Sequence, residues 1–198
     1  MEQENTKRLT MELVNAVREI FATEIAKDTA AAPILERVLV LLPELRLAPE
    51  PPEATQLPVC RLFSRALDLG EAGPASTVAR ALRELEPTLS WAQSNRHSVE
   101  KRGAYFMENY AFSSLGISGS KVLDFGIMLL GPGITYPLTS YEPAGAFLVI
   151  GGSPEWKSDD GPWVRVEAGS IIHRAANGAE GKRPGTEPML ALYTWLYE

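Results

Sequence analysis

Residues 133–152, which read GITYPLTSYEPAGAFLVIGG, decide the fold. A glycine opens the stretch, two glycines close it, and the apolar run AGAFLVI near its end is typical of a β-strand. The segment contains no histidine, because the two histidines of the chain are His97 and His173. Whether the chain is expected to be an enzyme depends on whether this stretch, which lacks histidine, supplies other metal-binding side chains.

Alternating apolar residues continue on both sides of this stretch. In KVLDFGIMLLGPG the side chains of Leu123, Phe125, Ile127 and Leu129 fall on one face of a strand. The sequence predicts further strands at AGAFLVI, WVRVE, SIIHR and MLALYTWLY, separated by glycine and proline. Short strands joined by tight turns favour a small antiparallel barrel or jelly roll.

The first ninety residues follow a helical period instead. Apolar side chains recur from Leu9 to Ile25, which predicts one amphipathic helix, and a second helix is expected to run from Ile34 until Pro43. Two shorter helices are predicted at 61–69 and 77–85, after a turn-rich loop, LAPEPPEATQLP.

The two periods divide the chain into two parts. We expect an α+β protein in which a helical N-terminal region, residues 1–103, packs on a barrel formed by residues 104–198.

Composition excludes several kinds of partner. The net charge is −6 and the basic residues are scattered, so no nucleic-acid surface is predicted. The apolar run from Val38 to Leu42 is far shorter than the roughly 20 residues that cross a bilayer, so we expect no membrane insertion. A single cysteine, Cys60, and the lack of a signal peptide indicate a cytoplasmic protein.

The spacing of 133–152 resembles the first motif of the cupins, which have a double-stranded β-helix, or jelly-roll barrel. The motif expects His, His and Glu where this chain has Thr139, Tyr141 and Gly145. The second motif expects a histidine eleven residues after Gly169, where this chain has Glu180. The spacing therefore matches the cupins while these ligand positions differ.

Four stretches are similar to bacterial dimethylsulfoniopropionate lyases, which are cupins with a helical N-terminal region. They are SWAQS at 90–94, LLGPGITYP at 129–137, GSIIH at 169–173 and EPMLALYTW at 187–195. The resemblance implies a β-elimination that cleaves a C–S bond and yields acrylate and dimethyl sulfide. In that family a divalent metal holds the substrate carboxylate and a tyrosine removes the adjacent proton.

The resemblance also assigns positions to that chemistry. The proposed tyrosine base corresponds to Tyr136, and the four family metal ligands fall on Tyr141, Gly145, Phe147 and Glu180. One carboxylate and one phenol are too few donors to hold a transition metal firmly. We therefore expect no cofactor, with a divalent metal as the less favoured alternative, and weak or altered lyase activity.

Several other residues are candidates for the site. Trp91 and Gln93 match the family and could bind substrate, although a tryptophan there is more often a core residue. His173 is the one barrel histidine that could act as a base near pH 7, unless it is a structural residue. Arg165 and Arg174 could bind a carboxylate or face solvent, and His97 is expected to be a surface residue.

Three functions remain open from the sequence. The first is a diverged lyase-like cupin with a small-molecule pocket in the barrel. Its catalytic candidates are Tyr136 and His173, and its substrate-binding candidates are Trp91, Gln93, Tyr141 and Glu180. Tyr141 and Glu180 could instead hydrogen-bond each other without a functional role. The second is a metal-free binding module, or a dimeric interaction module without catalysis. The third is a rebuilt metal site, for example His173 with Glu180 and Glu142. A homodimer is an expectation from the resemblance.

Overall fold

The structure is a computed structural model that describes residues 2–47, 53–115, 117–118 and 122–197. The helices fall in the N-terminal part. Helix α2 (Ala32–Leu41) carries a proline in its first turn, where the missing N–H has no intrahelical partner to lose. The six α-helices of the described residues are α1 (Glu2–Ile25), α2 (Ala32–Leu41), α3 (Phe63–Glu71), α4 (Ser76–Leu85), α5 (Val99–Arg102) and α6 (Ala104–Glu108). Three short 3₁₀ helices lie at Leu42–Glu44, Pro58–Leu62 and Glu86–Thr88.

The strands follow, apart from one short early strand. They are β1 (Arg46–Leu47), β2 (Tyr110–Ser113), β3 (Ile117–Ser118), β4 (Leu123–Leu130), β5 (Tyr136–Ser140), β6 (Ala144–Gly151), β7 (Glu155–Ser158), β8 (Val164–Arg165), β9 (Ile171–Arg174), β10 (Ala179–Arg183) and β11 (Met189–Leu196).

Two antiparallel sheets form the barrel. The larger sheet has the order β2-β4-β11-β6-β9, and the smaller sheet has the order β5-β10-β7-β8. A third, two-stranded sheet pairs β1 with β3. The non-sequential neighbours in both sheets are those of a jelly roll, and the predicted α+β class is confirmed.

The two faces of the larger sheet have different partners. One face carries aliphatic side chains such as Ile127, Leu148 and Leu192, and the helices cover it to form one apolar core. Helix α3 lies close against β6 at Gly151, where an added Cβ would collide with the carbonyl oxygen of Ala66. The helical region is thus packed directly on the barrel wall.

The other face points into the barrel and is rich in aromatic rings. Tyr110, Tyr136, Phe147, Trp156 and Tyr193 belong to the second core, between the two sheets. Because large rings fill the lumen, the space for a ligand lies at its open end rather than along its whole length.

Most predicted elements are confirmed. The four predicted helices correspond to α1 to α4, and the five predicted strands to β4, β6, β8, β9 and β11. Strands β2, β5, β7 and β10 were not predicted. Residues 48–52 of the predicted loop lie outside the described residues, and the boundary at 103/104 stays a prediction. No described helix is long and apolar enough to cross a membrane.

Candidate functional site

A cleft of about 340 Å³ opens at one end of the barrel. Seven of its thirteen lining residues are aromatic, three are charged and three are of other types. The lining residues are Ser94, Arg96, Tyr110, Phe112, Asp124, Met128, Tyr136, Tyr141, Glu142, Pro143, Tyr193, Trp195 and Tyr197. A concave, mostly aromatic surface with a few charged groups is typical of a small-molecule site.

Tyr136 links the cleft to the barrel interior through hydrogen bonds. Its hydroxyl lies 2.8 Å from the hydroxyl of Tyr141 and 3.2 Å from Nε2 of His97. Burial, together with the neighbouring Tyr110 and Tyr141, raises the pKa of Tyr136 well above its usual range. At neutral pH the residue is therefore a phenol that can donate a hydrogen bond, and a phenolate is strongly disfavoured.

His97 is buried, with 6% of its surface exposed, which corrects the expectation of a surface residue. Its ring packs edge-on against Phe106, Tyr110 and Tyr136, at centroid distances of 5.3 to 5.4 Å. Desolvation, followed by the charges of Arg102, Arg96 and Lys101, lowers the pKa of His97. The imidazole is consequently neutral at pH 7, and its Nε2 either donates a hydrogen bond to the hydroxyl of Tyr136 or accepts one from it, depending on the tautomer.

Charges of both signs line the cleft. Arg96 lies over the ring of Tyr141, 5.1 Å from its centroid. Desolvation raises the pKa of Asp124, and a hydrogen bond from the Phe125 backbone opposes that rise. A half-buried carboxylate beside aromatic rings costs stability, which favours a role in binding over a role in packing.

Arg174 stabilises the loop that forms part of the cleft wall. Its buried guanidinium donates hydrogen bonds to the carbonyl oxygens of Tyr141, Pro143 and Gly178. The same group lies 4.5 Å from the centroid of the Trp195 ring. Because these N–H groups already donate to backbone carbonyls, Arg174 holds the loop at 141–143 in place. Its guanidinium is therefore not positioned to bind the carboxylate of a ligand.

The barrel centre holds an ion pair. Nζ of Lys182 lies 2.9 Å from Oε1 of Glu180, and each side chain is only 1% exposed. The contact is an ion pair and not an aligned hydrogen bond. Three rings surround the ammonium, with centroids at 5.0 Å for Tyr136, 4.4 Å for Phe147 and 4.6 Å for Trp156.

The members of this pair perturb one another. Desolvation raises the pKa of Glu180, while the charge of Lys182 opposes the rise. Desolvation likewise lowers the pKa of Lys182, while the charge of Glu180 opposes that fall. The pair is thus a structural unit in which neither partner is tolerable alone.

The structure brings together only part of the predicted site. Tyr136 and Tyr141 meet at the cleft. Trp91 instead lies in the helix-facing core, where it packs edge-on against Phe63 at 5.2 Å. Gln93 donates hydrogen bonds to two backbone carbonyls, which shape the start of β2, and it is not among the residues that line the described cleft.

Three further predicted residues are not among those that line the cleft. His173 is exposed on β9, and Ile171 on the same face packs against the helix-covered core, so this face is the outer face of the sheet and not the barrel interior. Arg165 is also exposed and pairs with Glu167. Glu180 is in the barrel centre, where Lys182, and not Tyr141, is its partner.

Four important residues were missed by sequence reasoning. Arg96, Asp124 and Trp195 line the cleft, and Lys182 fills the centre. Asp124 had one signal, since it is the single charge inside the apolar strand VLDFGIMLL. The only sequence signal for Lys182 was its spacing of two residues from Glu180, and the strand that contains both is too polar to be recognised from its hydrophobic pattern.

The positions that correspond to the family's metal ligands do not fit a metal. Gly145 has no donor, and a Cβ added there would collide with the ring of Trp195. Phe147 has no donor either, Tyr141 is hydrogen-bonded to Tyr136, and Glu180 is paired with an ammonium. Within the described residues no group of three His, Cys, Asp or Glu side chains could hold a metal ion, which removes the rebuilt site of His173 with Glu180 and Glu142.

Known proteins place this chain in a family. The sequence profile of the dimethylsulfoniopropionate (DMSP) lyases matches residues 31–191. The chain belongs to the DMSP lyase family. A Cereibacter sphaeroides protein assigned as the DMSP lyase DddL is 29% identical over 150 residues, which are 73% of this chain. These residues span 61% of the relative's own length.

Solved structures of DMSP lyases share the fold. A chain from the crystal structures of RdDddP and RnDddQII has a TM-score of 0.76 at 21% identity, covering 97% of this chain and 94% of that one. DddQ from Ruegeria pomeroyi has a TM-score of 0.65 at 19% identity, covering 91% of each chain. The predicted cupin fold with an N-terminal helical region is therefore confirmed.

Proposed function

We propose that this member of the DMSP lyase family binds a small zwitterion in the aromatic cleft and has weak or altered lyase activity that does not depend on a metal at the family's site. The observation that carries this proposal is the cleft itself. It offers aromatic rings, a cationic guanidinium and two carboxylates within one concave surface.

The charges of the cleft match the two ends of DMSP. A sulfonium cation is attracted by the faces of aromatic rings such as Tyr193 and Trp195, and by the carboxylate of Asp124. A propionate carboxylate is attracted by the guanidinium of Arg96. Binding by these groups needs no metal, since the cleft supplies its own cation for the carboxylate.

Turnover is expected to be slow. The phenol of Tyr136 is 1% exposed, and burial raises its pKa, so the phenolate that would have to form before it could remove a substrate proton is unfavourable. The proton next to a carboxylate is itself a weak acid when no metal neutralises that carboxylate. A slow β-elimination, or reaction with a more acidic substrate, follows from these two facts.

Calorimetric titration with DMSP, in buffer that contains a chelator, tests the binding. We expect measurable affinity that falls at least tenfold in Arg96→Ala, because the variant loses the cation for the carboxylate. Lys101→Ala removes an equal charge from an exposed position outside the described cleft and is the matched control. Equal affinities in the two variants would contradict the proposed orientation.

Dimethyl sulfide release, measured in the same buffer, tests the reaction. We expect release that is slow but abolished in Tyr136→Phe, which keeps the ring and removes the hydroxyl. Rapid release that stops on chelation would contradict metal-independent activity.

A second candidate function is binding without turnover. The same buried phenol supports it, together with the closed barrel centre, because a site that cannot form its base can still hold a ligand. Affinity for DMSP with no release of dimethyl sulfide would select this candidate. A cytoplasmic location and a homodimer stay predictions.

A further inference from the structure

The ammonium of Lys182 has the surroundings of a bound cation. The rings of Tyr136, Phe147 and Trp156 approach it at centroid distances of 4.4 to 5.0 Å, and Glu180 supplies one negative charge at 2.9 Å. Aromatic faces with a carboxylate form the kind of cage that receives organic ammonium ions. We refer to these four residues as the ammonium cage.

The strand register builds the cage. Lys182 on β10 lies opposite Tyr136 on β5 and opposite Trp156 on β7, so the two rings flank it within one sheet. Glu180 precedes it by two residues and therefore shares its face. Phe147 comes from β6 in the other sheet and closes the cage from across the barrel.

Two cage residues occupy positions where the family resemblance expects metal ligands. Phe147 and Glu180 fall on two of the four ligand positions, and both contact the ammonium. We propose that the Lys182 ammonium takes the place of the divalent metal, so that the barrel centre is a cation site filled by the chain itself. The inference does not require that the cleft bind a ligand.

The cage suits a monovalent organic cation better than a divalent metal. A metal needs several oxygen, nitrogen or sulfur donors, whereas three hydrocarbon rings and one carboxylate match a single ammonium charge. A divalent ion near Glu180 would also stand next to the positive charge of Lys182. The site therefore predicts affinity for a small alkylammonium ion once the lysine is shortened.

Lys182→Ala removes the atoms from Cγ to Nζ, which correspond to n-propylammonium. We expect the variant to unfold at a Tm about 10 °C below that of the wild type, because Glu180 is left buried and unpaired. Millimolar n-propylammonium should recover several degrees of that loss. The neutral 1-propanol should not, since it fills the space without the charge.

Lys182→Met is the matched control, because its side chain still fills the cage. We expect n-propylammonium to leave its Tm, and that of the wild type, unchanged after correction for ionic strength. A shift equal in all three proteins, or none in Lys182→Ala, would overturn the proposal.

Elemental analysis of wild-type protein purified without chelators gives a second test that does not need the variant to fold. We expect less than about one tenth of an equivalent of any transition metal. A stoichiometric metal whose removal lowers the Tm would overturn the proposal, whether or not the cleft binds DMSP.

Discussion

The barrel centre and the cleft above it lie on either side of Tyr136. Their charged side chains differ, because those in the centre are paired with each other and those in the cleft are accessible. In the centre, Lys182 and Glu180 neutralise one another inside a shell of rings. In the cleft, Arg96 and Asp124 line a cavity and remain accessible to a ligand. The comparison separates a barrel centre whose charges are already paired from a cleft whose charges line an open cavity.

Removing one member of the central pair should have the largest effect. We expect Lys182→Met to lower the free energy of unfolding by about 3–5 kcal/mol, because a lone buried carboxylate remains. The double variant Lys182→Met with Glu180→Leu should recover most of this loss, since both charges are gone. Denaturant unfolding of the single and double variants measures the coupling, and additive losses would contradict a closed ion pair.

The tyrosines between the two regions should make the fold sensitive to alkali. Desolvation raises the pKa of Tyr110 to about 12 from a model-compound value of 10.0. Because the folded state keeps this proton to higher pH, its stabilising contribution is complete below pH 10 and is lost as the pH rises through about 12. Over that window the contribution amounts to about 2–3 kcal/mol.

Unfolding measured between neutral pH and pH 12 tests this contribution. Tyr110→Phe is the control, since it keeps the ring and cannot ionise. Its stability should fall less steeply above pH 10 than that of the wild type, and parallel curves would contradict the assignment.

Removing the charge of Asp124 in the cleft should raise stability, whereas removing a charge from the central ion pair should lower it. Asp124→Asn removes a charge whose pKa is raised by desolvation, so we expect a higher Tm at pH 7. The same change should weaken the binding of an onium ligand about tenfold, because the carboxylate is lost. Asp160→Asn, at an exposed turn, should alter neither quantity, and a lower Tm in Asp124→Asn would count against a binding role.

The smallest expected difference is in the ligand affinity of two variants, His97→Ala and His173→Ala. His97→Ala should weaken ligand binding several-fold, because His97 positions the hydroxyl of Tyr136 at the cleft. His173→Ala should change both affinity and stability by less than about 0.5 kcal/mol, because its side chain is exposed. Titration calorimetry on both variants tests this ranking, and a larger effect at His173 would reverse it.

The sequence predicts the fold wherever apolar residues follow a clear period. Strands β4, β6 and β11 line the large core, so their hydrophobic pattern is strong. Strand β10 has no such pattern, because its inward residues are Glu180 and Lys182. A strand whose buried face is charged cannot be told from a loop by hydrophobicity.

The candidate site was only partly predictable for a related reason. Tyr136 and Tyr141 follow from motif spacing within 133–152, which is local in sequence. Asp124 and Trp195 are far apart in the sequence, and the pairing of β4 with β11 brings them together, while Arg96 reaches the cleft from a turn outside the strands. The burial of His97 likewise depends on Phe106 and Tyr110, which surround it in space.

The closed barrel centre is tested most directly by a crystal structure of protein purified without chelators, with anomalous diffraction recorded at the edges of zinc, iron and manganese. The account predicts Lys182 Nζ enclosed by the three rings, beside Glu180, with no anomalous peak in the barrel. A peak at coordination distance from Glu180, with Lys182 turned away, would contradict it.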